Sequence, residues 1–157
     1  MPTLLNEEHR EDLRRRLESL RPDSAAKWGR FSAPQMVSHV IQSIGMMTGA
    51  VPVASKSVPW AFSHAPVKHL LIYVLPFPKG LPTAPELLAR PCEDASSTSE
   101  SAWSAERDAF ARALDTIPEV AKRNVWPAHP AMGSLTAREW GTLQYRHLDH
   151  HFRQFNA

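Results

Sequence analysis

Cysteine is nearly absent from this sequence, since Cys92 is the only one in 157 residues. A single thiol cannot form an intrachain disulfide, which excludes the small secreted domains that depend on disulfides and fits a reducing cytoplasm. Cys92 follows a proline and precedes two acidic residues, a pattern typical of a loop. We interpret it as a passive thiol, with a nucleophile or metal ligand as the alternative.

Long hydrophobic runs and a dominant charge are also missing. The most apolar run, Leu70 to Leu75, is too short to span a bilayer, and Met1 to Leu5 lead into polar residues without the apolar core of a signal peptide. The formal net charge is +2, and Arg14 to Arg16 spread around a helix instead of forming one stripe, although a phosphate-binding patch is the alternative there. We therefore expect a cytoplasmic protein that binds neither membranes nor nucleic acids.

Helical patterning accounts for most of the chain. Hydrophobic residues make up 43% and charged residues 22%, which is ordinary for a globular protein, and residues 1–157 fit a single domain. Three of the predicted helices begin with a capping box, in which a hydroxyl residue is followed three positions later by Gln or Glu. Four helices are predicted, from about Asn6 to Leu20, from Ser32 through Met47, from near Ser97 to before Pro118, and from Thr136 almost to the last residue.

A long Pro-rich connection, Ala50 to Ser96, separates the second and third predicted helices and contains most of the 14 prolines. Its one convincing helical stretch is Val67 to Leu75, and no alternating strand pattern is found. We therefore predict an all-α fold, a four-helix bundle with this long crossover between helices 2 and 3. The crossover either covers the mouth of a site or fills the open side of the core with its aromatic residues Trp60, Phe62, Tyr73 and Phe77.

The last predicted helix contains two histidines spaced for metal binding. His147 and His151 are four residues apart, so both imidazoles lie on one helix face and could share a metal at about 2.0–2.1 Å. That face is inward, and a buried histidine pair needs a partner. His39, in the apolar second helix, supplies a third imidazole, whereas His150 points away from His151. The alternative is histidines that are satisfied in the core or lie on the surface.

Two further residues are weaker candidates near such a site, and the catalytic residues are otherwise unknown. Gln154 follows His151 by three residues on the same face, so it could orient a ligand or contact a substrate. His129 precedes the last helix and could serve as a base from the bundle end, with the shaping of its loop as the alternative. Asp149 points away from the ligand face, so an obvious general base is missing.

Several sequence blocks resemble a known group of proteins. They are WGRFSAPQMVSH at 28–39, FPKG at 77–80, PTAP at 82–85, HPAMGSLT at 129–136, EWG at 139–141 and YRHLDHHFRQF at 145–155. With these blocks the chain resembles the DinB/YfiT-like superfamily of metal-binding helical bundles, and in particular an uncharacterised branch known as a domain of unknown function. The resemblance implies a homodimer and the metal ligands His39, His147 and His151. The Arg-Gly-Gln that often follows the last ligand is Phe152-Arg153-Gln154 here, which keeps the Gln but shifts the Arg.

An open three-histidine site defines the functional expectation. Three imidazoles leave a coordination position free, as in catalytic or ligand-binding sites, and they suit zinc, nickel, iron or copper. A metal there could activate water or bind a thiol as thiolate. We expect one divalent transition metal in a metal-dependent enzyme, a small-thiol transferase or a hydrolase; the absence of HExxH excludes a zincin protease. The alternatives are a non-catalytic metal- or ligand-binding protein and a structural, dimeric bundle.

Overall fold

The computed structural model of the protein describes residues 1–77, 84–88 and 100–157. In this part of the chain every regular element is a helix, which confirms the prediction of an all-α fold there. None of the described helices has the length and apolar content needed to cross a membrane. The helices are α1 Glu7–Glu18, α2 Ala33–Thr48, α3 Val67–Tyr73, α4 Glu100–Asp115, α5 Ile117–Val120 and α6 Ala137–Gln154, with short 3-10 turns at Trp60–Ser63 and Pro85–Leu87.

The predicted capping residues set the start of α1, α2 and α6. The Asn6 side chain accepts a hydrogen bond from the Glu8 backbone N–H. At α2 and α6 the capping boxes are complete. The Ser32 and Thr136 hydroxyls each accept from the backbone N–H three residues on, and their own backbone N–H groups donate to the side chains of Gln35 and Glu139. These caps satisfy helix-end N–H groups and fix where each helix begins. The register of the histidines on α2 and α6 follows from them.

The chain after the crossover differs from the prediction in one element. The third predicted helix is described from Glu100 as α4, while its predicted cap at Ser97 lies outside the described residues, as does Cys92. α4 ends before Pro118, as expected, but a further short helix, α5, follows. Pro118 occupies its first turn, where the missing N–H has no helical partner in any case. Pro118, which is predicted to end the third helix, therefore also lies at the start of α5.

α2 is the central helix of the described structure. It packs against α4, α6 and the turn Pro85–Leu87, whereas α1 packs against α4 and α6, and α3 packs against α6. Because α2 is buried on most of its sides, its apolar surface is covered largely within one chain. The homodimer that the resemblance implies stays a prediction. The core includes Leu13, Leu17, Met36, Val40, Ile44, Phe110, Leu114, Trp140, Leu148 and Phe152.

Candidate metal centre

Helices α2 and α6 bring the three predicted histidines together. His39, His147 and His151 each offer one ligand atom, and these atoms all lie within 4.8 Å of one another. The Nε2 atom of His147 lies 3.2 Å from Nε2 of His39 and 3.1 Å from Nε2 of His151. The three imidazole rings are steeply inclined to each other, with interplanar angles of 73° to 89°. This group of histidines could hold a metal ion.

The spacing of the ring nitrogens fits a shared metal ion. Two nitrogens bound tetrahedrally at about 2.0–2.1 Å from one metal are about 3.3 Å apart. The two separations at His147, 3.2 and 3.1 Å, are close to this value. In a protein without a cation, close nitrogens of this kind need a proton between them, and one proton on His147 cannot serve both of its neighbours at full strength. The donor set therefore suits a cation better than it suits three free imidazoles.

A backbone carbonyl from the crossover orients His39. Nδ1 of His39 donates to the carbonyl oxygen of Leu87 at 2.8 Å. Because a carbonyl oxygen only accepts, the proton of the neutral ring is on Nδ1 and the lone pair on Nε2 points towards the other two histidines. His39 is 3% exposed and Leu87 is also buried, so solvent competes little for this bond. Hydrogen bonds of this type fix the orientation of metal-ligating histidines.

Burial lowers the pKa of all three histidines. Loss of hydration is the largest cause at each residue, and neighbouring imidazoles add to it at His147 and His151. The pKa of His151 falls to about 3, and the hydrogen bond from His39 to Leu87 opposes the shift at His39 without reversing it. The rings are therefore neutral near pH 7, which is the protonation state that binds a metal.

Two phenylalanines flank the histidines. The ring of Phe31, just before α2, lies 5.2 Å from the ring of His39 and 6.0 Å from that of His151. Phe77, from the crossover, lies 5.5 Å from the ring of His147. Part of the crossover thus reaches the site, through Phe77 and the Leu87 carbonyl. Trp60, by contrast, is 75% exposed and packs on its own neighbour His64.

The two weaker candidates occupy different places. Gln154 is buried, and its Oε1 lies 3.0 Å from Nδ1 of His151, in contact with a candidate ligand. His129 lies in the loop before α6, where its Nδ1 accepts hydrogen bonds from the backbone N–H groups of Ala131 and Met132. Burial, together with the charge of Lys56, lowers the pKa of His129 to about 4. The contacts of His129 match the alternative in which it shapes its loop.

The acidic residue between the two candidate ligands on α6 is paired with arginines. Asp149 forms ion pairs with Arg16 at 2.9 Å and with Arg153 at 3.1 Å. His150 does not belong to the three-histidine group, as its position on the helix predicts. Sequence reasoning did not predict that Phe31 lies beside the histidines; its position just before the α2 cap was the only signal for it. It also did not predict the contact of His39 with the Leu87 carbonyl, because a backbone carbonyl leaves no mark in the side-chain pattern.

Comparison with known proteins identifies a family. Residues 3–157 match the family described as protein of unknown function (DUF1569). No curated protein and no solved structure matches the chain. The relation to the DinB/YfiT-like superfamily stays a prediction. Because the family match spans nearly the whole chain, this protein belongs to the DUF1569 family.

Proposed function

We propose that this protein binds one divalent transition metal, zinc, nickel or iron, through His39, His147 and His151. The observation that carries the proposal is the convergence of the three imidazoles from α2 and α6, with Nε2 separations of 3.2 and 3.1 Å. When bound, such a metal supplies a Lewis-acidic centre with a coordination position open to a small ligand.

Residues of the chain would hold and shield this centre. The Leu87 carbonyl keeps the lone pair of His39 directed at the site, and burial keeps all three rings neutral at pH 7. Phe31 and Phe77 cover the ligands with apolar rings, which restricts water around them. An apolar surround of this kind strengthens electrostatic interactions at a metal site.

The architecture of the proposal is a DinB/YfiT-like four-helix bundle made of α1, α2, α4 and α6, with 50–96 as its crossover. Packing supports this arrangement, because α2 and α1 each contact both α4 and α6, so every helix of the four has two neighbours. Ligands on the facing helices of a bundle core are a recurrent way to build metal sites.

Two function classes fit such a centre. The first is a metal-dependent enzyme, a small-thiol transferase or a hydrolase, which the open coordination position and the superfamily resemblance favour. A small thiol is the proposed ligand, because thiolates bind the softer of these metals well. The second is a non-catalytic metal-binding protein or sensor. It is favoured by the pairing of Asp149 with Arg16 and Arg153, which engages the nearest carboxylate on α6 and leaves no general base at the ligands there.

Metal content of histidine variants tests the proposal. The protein is purified without a nickel column, loaded with zinc and dialysed, and its metal content is measured by elemental analysis. We expect about one zinc per chain in the wild type, as in three-histidine sites generally, and little in His39→Ala, His147→Ala or His151→Ala. His150→Ala is the matched control on the same helix and should retain zinc. Loss of zinc in His150→Ala with retention in His147→Ala would show that the ligands are misassigned.

Titration with a small thiol separates the two function classes. The enzyme hypothesis expects thiol to bind the zinc-loaded protein but not the metal-free protein, and then to react with an electrophile. A binding protein or sensor shows the first result without turnover. Absence of thiol binding to the zinc-loaded protein would remove the transferase and leave the hydrolase and the sensor.

A further inference from the structure

A chain of hydrogen bonds links His151 to the segment that precedes α2. Nδ1 of His151 lies 3.0 Å from Oε1 of Gln154, and the amide nitrogen of Gln154 donates to the backbone carbonyl of Trp28. The backbone N–H of Lys27 also donates to the backbone carbonyl of Gln154, at 2.7 Å. Gln154 is 3% exposed, so water competes little with these contacts. The segment 27–29 and the end of α6 therefore form one connected unit.

The Trp28 carbonyl determines the direction of each hydrogen bond in this series. A carbonyl oxygen only accepts, so the NH₂ group of Gln154 must face Trp28 and its oxygen must face His151. The amide oxygen of Gln154 also only accepts, so the proton of the neutral His151 ring is on Nδ1. Nε2 of His151 is then unprotonated, and its lone pair faces Nε2 of His147 at 3.1 Å.

Gly29 provides the space for this arrangement. Its φ of +83° lies in the left-handed region, which glycine adopts without the steric cost that other residues have. A Cβ atom at this position would also overlap the amide nitrogen of Gln154. Any side chain at position 29 would therefore displace either the loop or the Gln154 amide that faces Trp28.

We propose that Gln154 is a positioning residue that selects the metal-binding tautomer of His151, and that Gly29 acts through Gln154. The inference rests on the proposed metal centre and extends it to the loop before α2. Together with the bond from His39 to the Leu87 carbonyl, it ties two of the three ligands to backbone carbonyls remote in sequence. Zinc binding and the docking of these two segments are then energetically coupled, each strengthening the other.

Zinc affinity of Gln154 variants, measured by competition with a chromophoric chelator, is the first test. Gln154→Leu removes the acceptor for Nδ1 of His151 and should weaken zinc binding about 10- to 100-fold, the usual effect of losing such a partner. Gln154→Glu keeps an acceptor for Nδ1 of His151 but loses the donor to the Trp28 carbonyl, so it should recover part of that loss. The matched control is Gln144→Leu, because Gln144 is equally buried on α6 and its side chain is hydrogen-bonded to Ser43 Oγ at 2.7 Å instead of to a candidate histidine ligand. Gln144→Leu should leave zinc affinity near that of the wild type.

A double-mutant cycle tests whether Gly29 acts through Gln154. Gly29→Ala alone should weaken zinc binding, because the added methyl displaces the Gln154 amide. In the Gln154→Leu background the same change should cause no further loss of affinity, although it still lowers thermal stability through backbone strain. Equal losses in the two backgrounds would overturn the proposed route through Gln154.

The tautomer of His151 is read directly from long-range proton–nitrogen NMR spectra of the metal-free protein. We expect the Nδ1–H form in the wild type and in Gln144→Leu, and a mixture of tautomers in Gln154→Leu and Gly29→Ala. The proposal is overturned if His151 keeps the Nδ1–H form in both of the latter variants, or if Gln154→Leu binds zinc no more weakly than Gln144→Leu. If Gln154→Leu does not fold, Gly29→Ala and Gln154→Glu decide the question. A wild type that binds no zinc would refute the metal centre itself, while the metal-free spectra would still report on Gln154.

Discussion

Both ends of α6 bury polar side chains, but among the described residues only those at the first end have partners of opposite charge. At the first end Glu139, 5% exposed, accepts from the Thr136 backbone N–H and pairs with Lys68 at 3.0 Å and His69 at 3.2 Å. At the other end His147 and His151 face His39, and the group they form with it contains no acidic residue among those the structure describes.

The difference teaches which polar cluster is complete within the chain. Burial alone would raise the pKa of Glu139, but hydrogen bonds from Thr136 and Lys68 outweigh it and lower that pKa, so partners in the chain stabilise the charged form. At His147 burial and the neighbouring imidazoles all lower the pKa, and no described group stabilises a charge there. The cluster around Glu139 is complete, because its charges and hydrogen bonds have partners within the chain. The cluster around His147 presents unshared lone pairs that a cation would satisfy.

The largest expected effect is stabilisation by metal at the histidine end. A ligand that binds the folded state alone adds about 4 kcal/mol to the free energy of unfolding at a thousand times its dissociation constant. We expect zinc to stabilise the wild type against urea by this order, and a chelator to reverse the gain. His147→Ala should lose the gain, while Glu139→Gln, which alters the other end, should keep it. An undiminished gain in His147→Ala would place the zinc elsewhere.

At the Glu139 end, Glu139→Ala should cost about 2–4 kcal/mol of unfolding free energy, because it removes half of a capping box and leaves the mostly buried Lys68 ammonium without its carboxylate partner. Zinc content should stay at the wild-type level. Glu119→Ala is the control, since Glu119 pairs with Lys122 on the surface and its loss should cost less than about 0.5 kcal/mol. If folded Glu139→Ala loses its zinc, the two ends of α6 are not independent.

Local signals in the sequence account for the helices and for the choice of the three candidate ligands. The capping boxes at Ser32 and Thr136 and the four-residue spacing of His147 and His151 depend only on neighbouring residues, and the structure has each of them as predicted. The carbonyls of Trp28 and Leu87 could not be predicted in the same way. Every residue carries a carbonyl, and only the tertiary packing decides which one meets a histidine. Among the groups that hydrogen-bond to the histidines, Gln154 could be predicted as a candidate, because it follows His151 by three residues.

Acid should lower the free energy of unfolding of the metal-free protein. Burial lowers the pKa of His129 to about 4 and that of His151 to about 3, whereas an unfolded chain has histidines near 6.5. Between these values the unfolded state binds more protons than the folded state, so the free energy of unfolding falls as the pH drops from about 7 to about 4. The part-buried His129 alone should contribute about 2 kcal/mol of this loss.

Urea unfolding at pH 7, 6 and 5 in the presence of a chelator measures this dependence. His129→Gln lacks the titrating group and should show a shallower decline than the wild type. A free energy of unfolding that stays constant or rises towards pH 5 would contradict the assignment of neutral, buried imidazoles at both ends of α6.

The smallest expected effect concerns the crossover. Phe77 is half-buried against His147, so Phe77→Ala should cost about 1 kcal/mol of stability, less than a fully buried aromatic, and should speed the exchange of zinc with a chelator. Trp60→Ala removes a side chain that is 75% exposed and should change stability by less than about 0.5 kcal/mol, with unchanged zinc exchange. Faster exchange in Trp60→Ala than in Phe77→Ala would mean that a different part of the crossover covers the site.

X-ray absorption of the zinc-loaded protein in thiol-free buffer tests the metal centre most directly. The account predicts a first shell of about three imidazole nitrogens at about 2.0–2.1 Å, with the scattering pattern of imidazole rings beyond it. A sulfur neighbour at about 2.3 Å would instead indicate thiolate ligation, for which Cys92 is the one cysteine of the chain. That result, or a first shell without imidazole scattering, would contradict the assignment of His39, His147 and His151 as the ligands.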